Sequence, residues 1–173
     1  MPLLTAPRLA LLLAGEVAAV EAEIAILLPP AWVSGAERLM RFRLRQIQGD
    51  PAAEPWLLRP IARRPEPGTD GPALAIGLIN FHGPPDDRGF VEVGYGLEPE
   101  ARGYGYAVEA VRALFNWAAT AHKVRQFRAA IAPGNERSHN LVRKLGMTRV
   151  GAQWDEDDGL ELIFTVERWG TGG

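Results

Sequence analysis

Cysteine is absent from the 173-residue chain. That removes disulfides, thiolate zinc sites and a cysteine nucleophile together, and it fits a reducing cytoplasm. Serine occurs only at Ser34 and Ser138. Neither sits in G-x-S-x-G, which excludes the nucleophile elbow of an α/β-hydrolase. The three histidines, His82, His122 and His139, show no H-E-x-x-H or other ligand spacing, so no metal is expected. Lysine is scarce: among 19 basic residues only Lys123 and Lys144 are not arginine. Arginine suits phosphate recognition, but a GC-rich coding sequence produces the same bias. The net charge of −2 and the lack of a clustered basic, aromatic motif argue against nucleic acid as a partner. No apolar run approaches the ~20 residues of a membrane span. The start, Met1-Pro2-Leu3-Leu4, lacks the charged region of a signal peptide. The expectation is a soluble, cytoplasmic protein with no membrane partner.

What is present supports a packed domain. The chain is 47% hydrophobic and 23% charged, outside the range of disordered chains. Its length suits one domain over residues 1–173, with no linker long enough to divide it.

Residues 8–13 read as a short opening strand, and residues 15–26 as a helix ending before Pro29-Pro30. Ser34 and Glu37 form a capping-box pattern for a second helix, with Leu39, Met40, Leu44 and Ile47 as its apolar stripe. Arg38, Arg41, Arg43 and Arg45 on that helix suit either an acidic acceptor or a solvated face. Strands are predicted over 56–61, 73–81 and 90–97, joined by Pro- and Gly-rich turns in the manner of an antiparallel meander. A helix follows over 104–120 and a strand over 126–132. Asn135 then caps a helix that stops at Gly146, and strands over 148–154 and 160–166 close the order. The class is α/β (α+β).

The most informative stretch is Arg102-Gly103-Tyr104-Gly105-Tyr106-Ala107, where a strand passes directly into a helix. A helix N-terminus offers unpaired N–H groups and a partial positive charge, a seat for phosphate. Two glycines let an anion approach the backbone, and Arg102 adds a cation beside it. There is no G-x-x-x-x-G-K-[ST], and Val108 breaks the dinucleotide pattern G-x-G-x-x-G/A.

These residues resemble the Gcn5-related N-acetyltransferase (GNAT) superfamily, whose pyrophosphate signature Q/R-x-x-G-x-G/A fits Arg102 to Ala107. A second matching segment is Asn135, Ser138 and Lys144-Leu145-Gly146-Met147, similar to the family's N-x-x-S and K-L-G-F. Pro7-Arg8-Leu9, Ile76-Gly77 and Glu92-Val93-Gly94-Tyr95 resemble the RimJ/RimL-like subgroup, which acetylates ribosomal-protein N-termini.

The resemblance implies a mixed, mostly antiparallel sheet, splayed midway, flanked by helices and holding acetyl-CoA as co-substrate. The backbone of Tyr95 and Leu97 would pair with pantetheine as an added strand. Arg102, Gly103, Tyr104, Gly105, Tyr106 and Ala107 would hold the pyrophosphate, and Asn135 would contact the cofactor arm or simply cap its helix. The implied reaction moves an acetyl group to a primary amine of a protein N-terminus or small molecule. Glu92 is the candidate base. The family's usual tyrosine position is Val142 here, so Ser138 is the candidate proton donor to sulfur. Trp32, Trp154 and the run Asp155-Glu156-Asp157-Asp158 fall where the family walls its acceptor site, although an acidic run is more simply a solvated hairpin turn. A homodimer is common in the family. Two other readings stand beside the enzyme: a non-catalytic acyl-CoA-binding module, which Val142 keeps open, and a nucleic-acid binder.

Overall fold

The computed structural model describes residues 1–170. The chain forms two compact units: Met1–Gly83 with Tyr95–Tyr104, and Pro84–Gly94 with the chain from Gly105 onward. Hydrogen-bonded strands follow the order β1-β3-β4-β5-β7-β6, with β2 on β3. The order begins with β1 (Ile26–Leu27), β2 (Arg59–Arg63), β3 (Ala73–Phe81) and β4 (Phe90–Leu97). It ends with β5 (Gln126–Ile131), β6 (Thr148–Asp155) and β7 (Gly159–Val166). The sheet is mixed: β1 runs parallel to β3 and β4 to β5, whereas β2–β3, β5–β7 and β6–β7 are antiparallel.

In the first unit, α1 (Ala6–Leu13), α2 (Val17–Ile24) and α3 (Pro30–Gly49) precede β2. Residues 8–13 are therefore helical, not the expected strand. Thr5 stands at the N-cap and Pro7 in the first turn, and Leu9 and Leu12, three apart, are the pair that buries. Ala25, left-handed at φ 55°, stops α2. The capping box at Ser34 does not form. Pro30 supplies the first residue of α3, with its φ preset for a helix, so Ser34 lies inside the helix and its hydroxyl donates to Ala31 O at 3.1 Å. The stripe that buries is Trp32, Ala36, Met40, Arg43 and Ile47. It joins Leu4, Leu9, Leu12, Val20 and Leu58 in one core cluster, with Arg43 set among these positions as a buried cation. Residues 56–61 divide into the end of a 3-10 turn (Pro51–Trp56), a bend and the start of β2. Pro51 and Pro55 fix the turn.

Two guanidiniums are buried in this unit. Arg59 donates to Leu57 O at 2.9 Å and Pro55 O at 2.7 Å, and Arg43 to Gln46 Oε1 at 2.7 Å. Burial disfavours their charged forms, pushing Arg59 down to about 10 and Arg43 in the same direction. Arg59 thus remains charged at neutral pH.

The second unit contains α4 (Tyr106–Ala121) and α5 (Glu136–Lys144). Alternation in β5 buries Phe127, Ala129 and Ile131 on one face. Phe127 stacks on Phe115 of α4 with centroids 3.8 Å apart, and Trp169 meets Phe115 edge-on at 5.1 Å. The other face of β5 carries Arg128.

Candidate active site

The candidate residues fall in both units. In the first, β3 and the end of β4 approach very closely. Glu98 N donates to Ile76 O at 2.9 Å, and a Cβ on Gly77 would come within 2.2 Å of Gly96 O. Tyr95 and Leu97, at the end of β4, are half-buried. Pro99–Ala101 then forms a 3-10 turn, and Arg102 Nε donates back to Leu97 O at 3.0 Å. That carbonyl, expected to face pantetheine, is thus held by Arg102 here. Gly103 follows at φ 90°, a left-handed value that suits glycine, and the Tyr104 side chain is exposed.

In the second unit, Gly105 is left-handed at φ 89° and is the N-cap of α4, with no side-chain cap. Tyr106 and Ala107 occupy the first turn, where N–H groups lack partners within the helix. An added Cβ at Gly103 or Gly105 meets nothing within 4 Å, so these glycines are required by backbone conformation rather than crowding. Two left-handed glycines deliver the chain into an uncapped helix start. That donor chemistry, with Arg102 preceding it, fits a pyrophosphate.

The β4–β5 ladder runs from Phe90↔Gln126 to Glu92↔Arg128, and both strands continue beyond it. Glu92 therefore sits at the last paired position of this ladder. It is half-buried, and its Oε2 lies 3.0 Å from Arg128 Nε. The Nε–H is not aligned for a hydrogen bond, so the contact is an ion pair. Arg128 Nη2 donates to Gln153 Oε1, and Gln153 Nε2 donates to Glu161 Oε2 at 2.9 Å. Arg128, Gln153 and Glu161 were invisible to motif reading. Alternation alone sets Arg128 opposite Phe127, but only the parallel register sets it beside Glu92.

Asn135 caps α5 as expected, its Oδ1 accepting from Ser138 N at 3.1 Å. Ser138 is half-buried in the first turn of α5, and Val142 is only 1% exposed. The structure brings Asn135 and Ser138 together but offers no phenol at position 142. Trp32 does not wall an acceptor site. It is 2% exposed, and its Nε1 donates to Gly77 O at 3.0 Å. Its place on the core stripe of α3 takes it inward. The acidic run is a hairpin turn: Asp155 Oδ1 accepts from the backbone of Asp157 and Asp158. Trp154 beside it is exposed. Among the described residues no group of three or more His, Asp or Glu side chains is placed to hold a metal ion. No helix there is long and apolar enough to cross a membrane.

The acetyltransferase (GNAT) domain model matches residues 17–148. The chain belongs to this family. It is 35% identical over 71 residues to an uncharacterized N-acetyltransferase, YjdG, from Bacillus subtilis, covering 41% of this chain and 42% of that protein. The chain thus matches less than half the length of that relative. Among solved structures, it is similar to a ribosomal-protein-S5-alanine acetyltransferase from Vibrio fischeri. That match has a TM-score of 0.57 and 15% identity, over 96% of this chain and 91% of the other. A chimeric spermidine N-acetyltransferase from Vibrio cholerae gives a TM-score of 0.55 at 14% identity, over 76% of each chain. At these identities the likeness is one of fold, and it agrees with the mixed sheet flanked by helices.

Proposed function

We propose that the chain acts as one acyl-CoA N-acyltransferase domain that moves the acetyl group of acetyl-CoA to a primary amine by direct attack. The observation that carries this reading is the Arg102–Ala107 segment, with left-handed Gly103 and Gly105 leading into the uncapped start of α4 in a GNAT-family chain. When bound, acetyl-CoA supplies an already activated thioester. The protein's task is then alignment and proton management.

Backbone N–H groups from Gly103 to Ala107, with Arg102, hold the pyrophosphate, and Tyr95 and Leu97 align the pantetheine. The carbonyl of Leu97 becomes available if Arg102 turns from it to phosphate. Asn135 both caps α5 and contacts the cofactor arm. Glu92 accepts the amine proton, directly or through water. As the C–N bond forms and the C–S bond breaks, the departing sulfur takes a proton from Ser138 or water. An α-amine, with a pKa of about 7.7–8.0, is partly neutral at cellular pH, whereas lysine at about 10.4 is not. A peptide N-terminus therefore suits this site better than a lysine side chain. The acetyltransferases of similar fold act, by their names, on ribosomal-protein alanine and on spermidine.

A second reading, a module that binds acyl-CoA without turnover, is favoured by the buried Val142 in the family's tyrosine position. Release of CoA from acetyl-CoA separates the two. Turnover with an alanine-starting peptide or spermidine supports the enzyme, and binding without release supports the module.

A further inference from the structure

Two pairs of polar side chains lie on the second unit's sheet on the face opposite Phe127, at different levels of β7: Arg128 stands across from Thr165, and Gln153 from Glu161. Glu92 of β4 and Arg128 of β5 are register partners, as are Gln153 of β6 and Glu161 of β7. The guanidinium joins the two pairs. Its Nε lies 3.0 Å from Glu92 Oε2, and its Nη2 donates to Gln153 Oε1. Gln153 can accept there because its own amide N–H is committed to Glu161 at 2.9 Å. The amide orientation is thus fixed from both sides, and it holds the guanidinium.

We infer that Arg128 is the positioning residue for Glu92, clamped in turn by Gln153 and Glu161. This rests on the reading of Glu92 as the base. Three features carry it. Glu92 occupies the last pair of the β4–β5 ladder, directly beside Arg128. Glu92 and Arg128 are both half-buried, at 21% and 30% side-chain exposure, so the pair is partly shielded from solvent screening. A fork of fixed geometry can engage an amide and a carboxylate at once, which a point charge on a flexible stem cannot. Glu161 donates nothing to Glu92. Its role is to keep Gln153 from turning its N–H groups toward the guanidinium, which would repel it.

The test has two parts. In 15N NMR, the Arg128 Nε–H signal is identified by its loss in Arg128→Met, or in Arg128→Lys if the methionine variant does not fold. The inference requires that signal to move in both Glu92→Gln and Glu161→Gln; indifference to Glu92→Gln overturns the pairing, and indifference to Glu161→Gln overturns the clamp. Kinetics then follow CoA release, with an alanine-starting peptide and spermidine as acceptor probes. Glu92→Gln is expected to lower kcat by about 100-fold, and Arg128→Met by about tenfold or more with KM for acetyl-CoA unchanged. The double variant should be no slower than Glu92→Gln alone, and Arg128→Lys should recover part of kcat. Unchanged kcat in Glu92→Gln, or no turnover by wild type, overturns the base reading and the inference with it. A slow Glu92→Gln beside a wild-type kcat in Arg128→Met, or additive losses in the double variant, overturns the inference alone.

Discussion

Gly77 and Gly96 face each other so closely that a Cβ on Gly77 would stand 2.2 Å from the Gly96 carbonyl oxygen and 2.7 Å from Leu97 Cδ2. The first of these is backbone, which cannot swing aside. Gly77→Ala must therefore push β3 from the end of β4, and overpacking of this kind costs about 1–3 kcal/mol. Urea denaturation should show a lower midpoint at unchanged slope. An unchanged midpoint would mean that the close approach is not a constraint.

The same glycine accepts the Trp32 indole N–H at 3.0 Å. Trp32→Phe keeps much of the apolar bulk but removes this buried hydrogen bond, at a cost of about 0.5–1.5 kcal/mol. The expected result is a less stable protein whose acetyl-CoA affinity is that of wild type. Loss of affinity without loss of stability would return Trp32 to the binding site.

Asn135 is assigned two duties, and they separate by substitution. Asn135→Ala removes the cap on Ser138 N–H and should cost about 1 kcal/mol. Asn135→Ser restores an oxygen acceptor at the cap and most of that stability. If Asn135 also contacts the cofactor arm, acetyl-CoA affinity measured by calorimetry should remain weakened in the serine variant. Wild-type affinity there would leave only the cap.

Ser138 is tested by kinetics. As the donor to sulfur, Ser138→Ala should lower kcat by about 100-fold with acetyl-CoA affinity unchanged. An unaltered kcat would assign that proton to water.

Much of the second unit was legible because its signals are local. Asn135 caps α5, Gly146 at φ 70° follows the helix end, and β5 alternates cleanly between buried and half-buried residues. The first unit was less so. In Leu9-Ala10-Leu11-Leu12-Leu13 nearly every position is apolar, so no period distinguishes helix from strand, and only the core's choice of Leu9 and Leu12 does. At Ser34 a plausible cap lost to a stronger start four residues earlier, Pro30. In the candidate site, Arg102 to Ala107, Asn135 and Ser138 were visible as contiguous motifs. Arg128 was not, because its relation to Glu92 depends on which strands pair and in what register, which no local pattern encodes.

Acetyl-CoA is proposed to sit on the Arg102–Ala107 segment. Calorimetric titration of acetyl-CoA into wild type and Gly105→Val tests it most directly. Arg102→Gln serves as a second variant, because valine at φ 89° strains the backbone and its fold must be checked by circular dichroism. The expected result is binding to wild type, loss in folded Gly105→Val and weakening in Arg102→Gln. No binding to wild type, or equal binding by all three, would contradict it.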